Sequence, residues 1–154
     1  MSLSKMIMGQ SGNQGSGAGL DVDDVYSTHV YTGTASEQSI NNGLDLSNEG
    51  GSVWIKNRGS NGSNHHWFNT GNGRALNLMP NQNTVQTSTS SQDLKSFNNN
   101  GFTLNATAFN TNINVNNGDY VSWAFRKAPK FHDIVTYTGN GTAGRTISHS
   151  LDST

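Results

Sequence analysis

The chain has 154 residues, a formal net charge of −1 and no cysteine, about one domain's worth of sequence. Nine Lys and Arg stand against ten Asp and Glu without a run of like charge, so no nucleic acid held by phosphate neutralisation is expected, and the missing thiols exclude disulfides, thiolate zinc and a Cys nucleophile. Asn (22), Ser (19), Thr (15) and Gly (18) fill nearly half of the chain, which disfavours long helices because these residues prefer turns, caps and strands.

Residues 1–20 join a short apolar knot, Met6, Ile7 and Met8, to a Gly/Ser/Gln stretch of linker composition. Three apolar residues are too few for the core of a signal peptide, and nothing approaches the roughly 18 consecutive apolar residues of a membrane span. A soluble, uncleaved chain is therefore expected. The segment reads as a flexible arm that docks on a partner through Met6, Ile7 and Met8; the alternatives are a terminus without a role and one that folds back on its own domain.

The sandwich domain is expected over residues 21–130, and from residue 21 onward turn signals recur at short intervals. Asn-Gly, the pair suited to type I′ hairpin turns, occurs at Asn42-Gly43, Asn61-Gly62, Asn72-Gly73, Asn100-Gly101, Asn117-Gly118 and Asn140-Gly141. Between the turns the residues alternate: Val53 and Ile55 face one way and Trp54 and Lys56 the other, while Phe102, Leu104 and Ala106 share a face. In DYVSWAFR, Val121, Trp123 and Phe125 form an apolar face against Tyr120, Ser122, Ala124 and Arg126. Many short strands predict an all-β fold, an antiparallel β-sandwich of jelly-roll type. Its expected core is Val53, Ile55, Leu76, Phe97, Phe102, Leu104, Val121, Trp123, Phe125, Ile134 and Val135. Truncating Trp123 to Ala in such a core would cost ~3 to 5 kcal/mol.

Residues 131–154 repeat the beginning of the domain. His29-Val30-Tyr31-Thr32-Gly33, then Ile40 and Leu44-Asp45, reappear as Val135-Thr136-Tyr137-Thr138-Gly139, then Ile147 and Leu151-Asp152, with one gap. This segment is expected to form terminal strands that open a second copy of the domain, as in a longer gene product, or that pair back onto the first.

The stretches DVYSTHVYTG, INNGLDLSNEGGSVWIKNR, HHWFNTGNGRAL, NNNGFTLNA and GDYVSWAFRKAPKFHDIVTYTGNGTAGRTISHSL together resemble a β-rich repeat domain of tail-fibre-like and other virion structural proteins of marine and cyanobacterial bacteriophages. YVSWAFRKAP and VTYTGNGTAGRTISHSL are the most specific, and the likeness spans roughly residues 21 to 154. It implies a concanavalin-like jelly roll, often in more than one copy per protein.

Chemistry-bearing clusters are sparse. His65 and His66 suggest a metal, with His132 and His149 as further ligands, yet neighbours in a strand face opposite ways. Asp21, Asp23 and Asp24 offer carboxylates for calcium but lack the spacing of an EF-hand loop. No carboxylate pair suggests a glycosidase; Glu37 and Glu49, the only glutamates, sit in predicted loops. No nucleophile elbow, Walker loop or HExxH helix is present, so no enzyme, metal or cofactor is expected. Sequons at Asn61, Asn105 and Asn140 follow from the Asn-rich composition.

Aromatic side chains could stack on sugar rings, and Trp54, Trp67, Trp123, Tyr26, Tyr31, Tyr120 and Tyr137 are the candidates. Trp67 in NHHWFNT, with His66 and Asn69, is the expected glycan contact, while Trp123 reads as core. The expected role is a virion structural protein located in the particle: a tail-fibre or appendage component, displayed by its sandwich and docked to other virion proteins by its arm. A homo-oligomer with wet Asn/Ser/Thr contacts is anticipated, a trimer if a fibre. The rival readings are a carbohydrate-binding module for host surface polysaccharide and a capsid decoration protein.

Overall fold

A computed structural model describes residues 20–59, 63–88, 93–106 and 113–151. The expected docking arm, Met6, Ile7 and Met8, lies outside them. Asp21 opens a single helical turn, α1 (Val22–Val25), by accepting the Asp23 N–H on its carboxylate at 3.2 Å, a short-helix cap of the usual Asp type. Extended segments then follow as β1 (Tyr26–Thr32), β2 (Gln38–Asn41), β3 (Gly51–Asn57), β4 (His65–Asn69), β5 (Gly73–Leu78), β6 (Thr87–Ser88), β7 (Leu94–Asn98), β8 (Gly101–Leu104) and β9 (Asp119–Arg126). Among the described residues no helix is long and apolar enough to cross a membrane.

All pairings between these strands are antiparallel. They form a six-stranded sheet in the order β1-β9-β3-β4-β5-β6 and a three-stranded sheet in the order β2-β8-β7, an all-β sandwich. Gly43, Gly73, Gly101 and Gly141 of the predicted Asn-Gly pairs have positive φ, and at Asn117-Gly118 it is the Asn that does. Gly101 is needed twice over: its φ is +127°, and a Cβ there would stand 2.0 Å from the Ile40 carbonyl oxygen across the β2–β8 pair.

The core lies between the sheets. Val53, Ile55, Phe68, Tyr120 and Ala124 of the larger sheet meet Ile40, Leu94, Phe102 and Leu104 of the smaller one, with Leu44, Leu46 and Ile113 filling from the loops and Phe97 packed against the cluster. Tyr31 stacks on Tyr120 at 5.1 Å and donates its hydroxyl to the Ile113 carbonyl at 2.9 Å, so a buried polar tip is satisfied. The expected core members Val53, Ile55, Phe102 and Leu104 are buried, and Leu76 and Ile134 are half-buried.

Strand β9 departs from expectation. Its alternation is as predicted, but the apolar face turns away from the core cluster: Tyr120, Ser122 and Ala124 point inward, fully buried, and Val121, Trp123 and Phe125 lie on the outer face of the larger sheet, where Val121 is still buried, as expected, at 8% exposure and the two rings are half-buried. The register explains the choice. Ala124 stands opposite Val53, and Ser122 opposite Ile55; small residues suffice at these two positions because Phe68, Phe102, Leu44 and Leu46 bring bulk to the core cluster, while Tyr120, at the start of the strand, enters it stacked on Tyr31. Val135, also expected in the core, is 41% exposed.

The expected terminal strands of 131–154 are not seen among the described residues. Ala128 and His132 form an isolated bridge, and residues 133–151 leave the sheet as an excursion without strands. Asp133 closes it: this side chain pairs with Lys127 at 2.9 Å and accepts the Ser150 N–H at 2.7 Å. Strand β9 already has β1 and β3 on its two sides, so it offers this segment no free ladder.

Candidate functional site

The outer faces of the two sheets differ in kind. On the smaller sheet a polar ladder runs through Ser96, Asn98, Thr103 and Ser39, linked by hydrogen bonds of 2.7, 2.8 and 3.0 Å. On the larger sheet the register lines up Thr28, Trp123, Trp54, Trp67 and Leu78 across five neighbouring strands. Three tryptophans thus stand side by side on β9, β3 and β4, because each strand carries its Trp at an outward position and directly opposed residues share a face.

Trp54 is the centre of this row. Its ring centroid lies 5.5 Å from those of Trp67, Trp123 and His65, with interplanar angles of 49°, 59° and 52°, the tilted packing that aromatic quadrupoles favour. Trp67 stacks on Phe125 at 5.8 Å and 16°, and Phe125 meets Tyr26 at 5.3 Å and His132 at 5.7 Å. The rings are half-buried: their flanks pack on one another and part of each surface faces out.

Polar groups frame the rings. The indole N–H of Trp54 donates to Nδ1 of His65 at 3.0 Å, which leaves the proton of the neutral imidazole on Nε2. Burial, and then the nearby Lys56 charge, hold His65 below the ordinary imidazole pKa. Lys56 donates to the carbonyls of Asn57 and Ser63 at 2.9 and 3.0 Å. At the other end His132 lies over the sheet, with Nε2 3.0 Å from Ser52 Oγ; burial lowers its pKa too. Burial thus biases both imidazoles at the row toward their neutral form.

Of the expected glycan contacts only Trp67 belongs to this row with an outward ring. Asn69 shares its side of β4 but is 4% exposed and spends its carbonyl on the Asn72 N–H at 2.9 Å, capping the β4–β5 turn. His66 points inward, 4% exposed, and receives a hydrogen bond from Asn77 at 3.0 Å; burial pushes its pKa down to about 4. His65 and His66 thus lie on opposite faces of the sheet. Sequence reasoning missed Trp54, Trp123, Phe125 and Tyr26 as partners of Trp67. Alternation separates Trp54 from Val53 and Ile55, but it puts Trp123 and Phe125 on the face expected in the core, and it does not contain the register that makes these rings neighbours.

Residues 21–154 match the family model described as a domain of unknown function, DUF7483, and the chain belongs to that family. No curated protein and no solved structure matches the chain.

Proposed function

We propose that this member of the family is a structural component of a bacteriophage virion, a tail-fibre or appendage module whose sandwich is a rigid display body docked through Met6, Ile7 and Met8. The observation that carries this reading is the two-faced sandwich, polar on the outside of one sheet and aromatic on the outside of the other, a form suited to presenting a surface rather than enclosing a substrate. The likeness of YVSWAFRKAP and VTYTGNGTAGRTISHSL to virion repeat domains supports the location. We assign the connectivity to a concanavalin-like jelly roll: β9 returns to lie between β1 and β3, the kind of long-range return that Greek-key sandwiches use. In a fibre the assembly is a homotrimer. Cryo-electron microscopy of particles from a phage encoding the chain tests this: density for the sandwich in a fibre or appendage is expected, and absence of the chain from purified particles overturns it.

The aromatic row favours a second reading, that the same face recognises a neutral host surface polysaccharide. Indole faces stack on the C–H faces of pyranose rings, and the row of three tryptophans runs across the strands. Saturable binding to a panel of host polysaccharides, lost in Trp67→Ala with the fold retained, is the expected result; binding that survives Trp67→Ala rejects it.

A further inference from the structure

Residues 135–151 repeat the pattern of residues 29–44, and the structure shows how deep the repetition goes. Tyr137 corresponds to Tyr31, Gly139 to Gly33, Gly141 to Ala35, Ile147 to Ile40, His149 to Asn42 and Leu151 to Leu44. Local geometry is shared. Ala35 has φ +52° and Gly141 has φ +71°, so both copies turn left-handed at the same place. In the first copy the Leu44 N–H donates to the Asn42 side chain at 3.1 Å; in the second the Leu151 N–H donates to the His149 ring at 3.2 Å.

The surroundings are opposite. Tyr31 is 8% exposed and Tyr137 is 64% exposed. Ile40 and Leu44 are buried in the core, whereas Ile147 and Leu151 are only half-buried. Gly33 is obligatory, since an added Cβ would stand 2.2 Å from the Val115 carbonyl oxygen and 2.9 Å from the Tyr120 ring. At Gly139 an added Cβ would meet nothing within 4 Å, and the φ there is outside the left-handed region. Among the described residues, nothing stands against Gly139 in the place that the Val115 carbonyl and the Tyr120 ring take against Gly33.

We propose that residues 135–151 are an interaction element that completes a second sandwich of this same fold, pairing with strands patterned like β8 and β9 that another domain supplies. This chain's own strands cannot serve, because β9 is flanked by β1 and β3 and β8 by β2 and β7. The first copy shows what the partner must offer: a tyrosine to stack on Tyr137 as Tyr120 does on Tyr31, a backbone carbonyl close against Gly139, and a Phe opposite Ile147 as Phe102 is opposite Ile40. The inference does not depend on the virion reading.

The test extends the full chain by joining residues 46–130 of the same sequence directly after Asp152, so that Leu151-Asp152 leads into Leu46 as Leu44-Asp45 does. Hydrogen exchange is read at Thr136, Tyr137, Thr138 and Ile147 in the chain with and without the extension. The proposal expects these amides to exchange on the order of 100-fold more slowly in the extended chain, and Gly139→Val to remove that protection there while leaving the melting temperature of the unextended chain unchanged. Fast exchange in the extended chain overturns the proposal, as does protection that survives Gly139→Val. Protection already present without the extension and rising with protein concentration also overturns it, since the segment would then be pairing with another copy's existing edges.

Discussion

Trp54 and His65 are joined across the β3–β4 pair by an indole N–H to Nδ1 hydrogen bond of 3.0 Å, with their ring centroids 5.5 Å apart. The bond satisfies the one polar group of the central ring, against which both flanking tryptophans pack at a tilt. Trp54→Phe keeps an aromatic ring and removes the donor. We expect a loss of about 1 kcal/mol, the usual worth of one hydrogen bond, read by urea unfolding, with the ring contacts to Trp67 and Trp123 retained.

Stability should fall with acid before the carboxylates titrate. His66 is buried and neutral, its pKa pushed down to about 4 from 6.5, and His65 and His132 are lowered in the same direction by burial. Below pH 6.5 the unfolded chain therefore takes up protons that the folded one refuses, and stability drops as pH falls toward 4. His66 alone accounts for roughly 2 kcal/mol between pH 7 and 4.5. Unfolding free energies across that range measure the slope, and His66→Gln should remove the largest part of it.

Burial separates two aromatic truncations. Phe102 is fully buried between the sheets, and Phe102→Ala should cost about 3 to 5 kcal/mol. Trp123 is half-buried on the outer face, where truncation leaves a dent open to water instead of a cavity; about 1 to 2 kcal/mol is expected for Trp123→Ala. Equal losses in the two variants would place Trp123 in the core after all. Ala124→Leu, on the inner face of the same strand, should cost about 1 to 3 kcal/mol through overpacking.

Asp133 ties down the excursion of residues 133–151. Hydrogen bonds from the Ser150 backbone, then from Lys127, hold its carboxyl well below the usual carboxylate range. A depressed carboxyl pKa means that the closure persists through mild acid and is lost only as pH falls past that low value. Asp133→Asn should speed hydrogen exchange at Ser150 at neutral pH while the melting temperature of the sandwich stays put. A fall in melting temperature would show that the excursion supports the core.

Much of this was readable in one dimension, because it depends on local rules. Asn-Gly pairs favour left-handed turns from their own chemistry, as at Gly43 and Gly73, and a period of two puts Val53 and Ile55 on one side and Trp54 on the other whatever the rest of the chain does. The repeat of Tyr31 and Gly33 at Tyr137 and Gly139 was also visible in the residues alone. Alternation states only that two faces exist, and which of them is inside depends on what volume the other sheet and the loops have filled. On β9 Tyr120, Ser122 and Ala124 go in, with Leu44, Leu46 and Phe102 from other parts of the chain supplying the bulk of the cluster that the two small residues leave open, and Trp123 and Phe125 go out, against their hydropathy. The aromatic row was hidden for the same reason: Trp54, Trp67 and Trp123 become neighbours only through the registers of β3 with β4 and β9, and register between strands distant in sequence is decided by the packing of the whole sandwich.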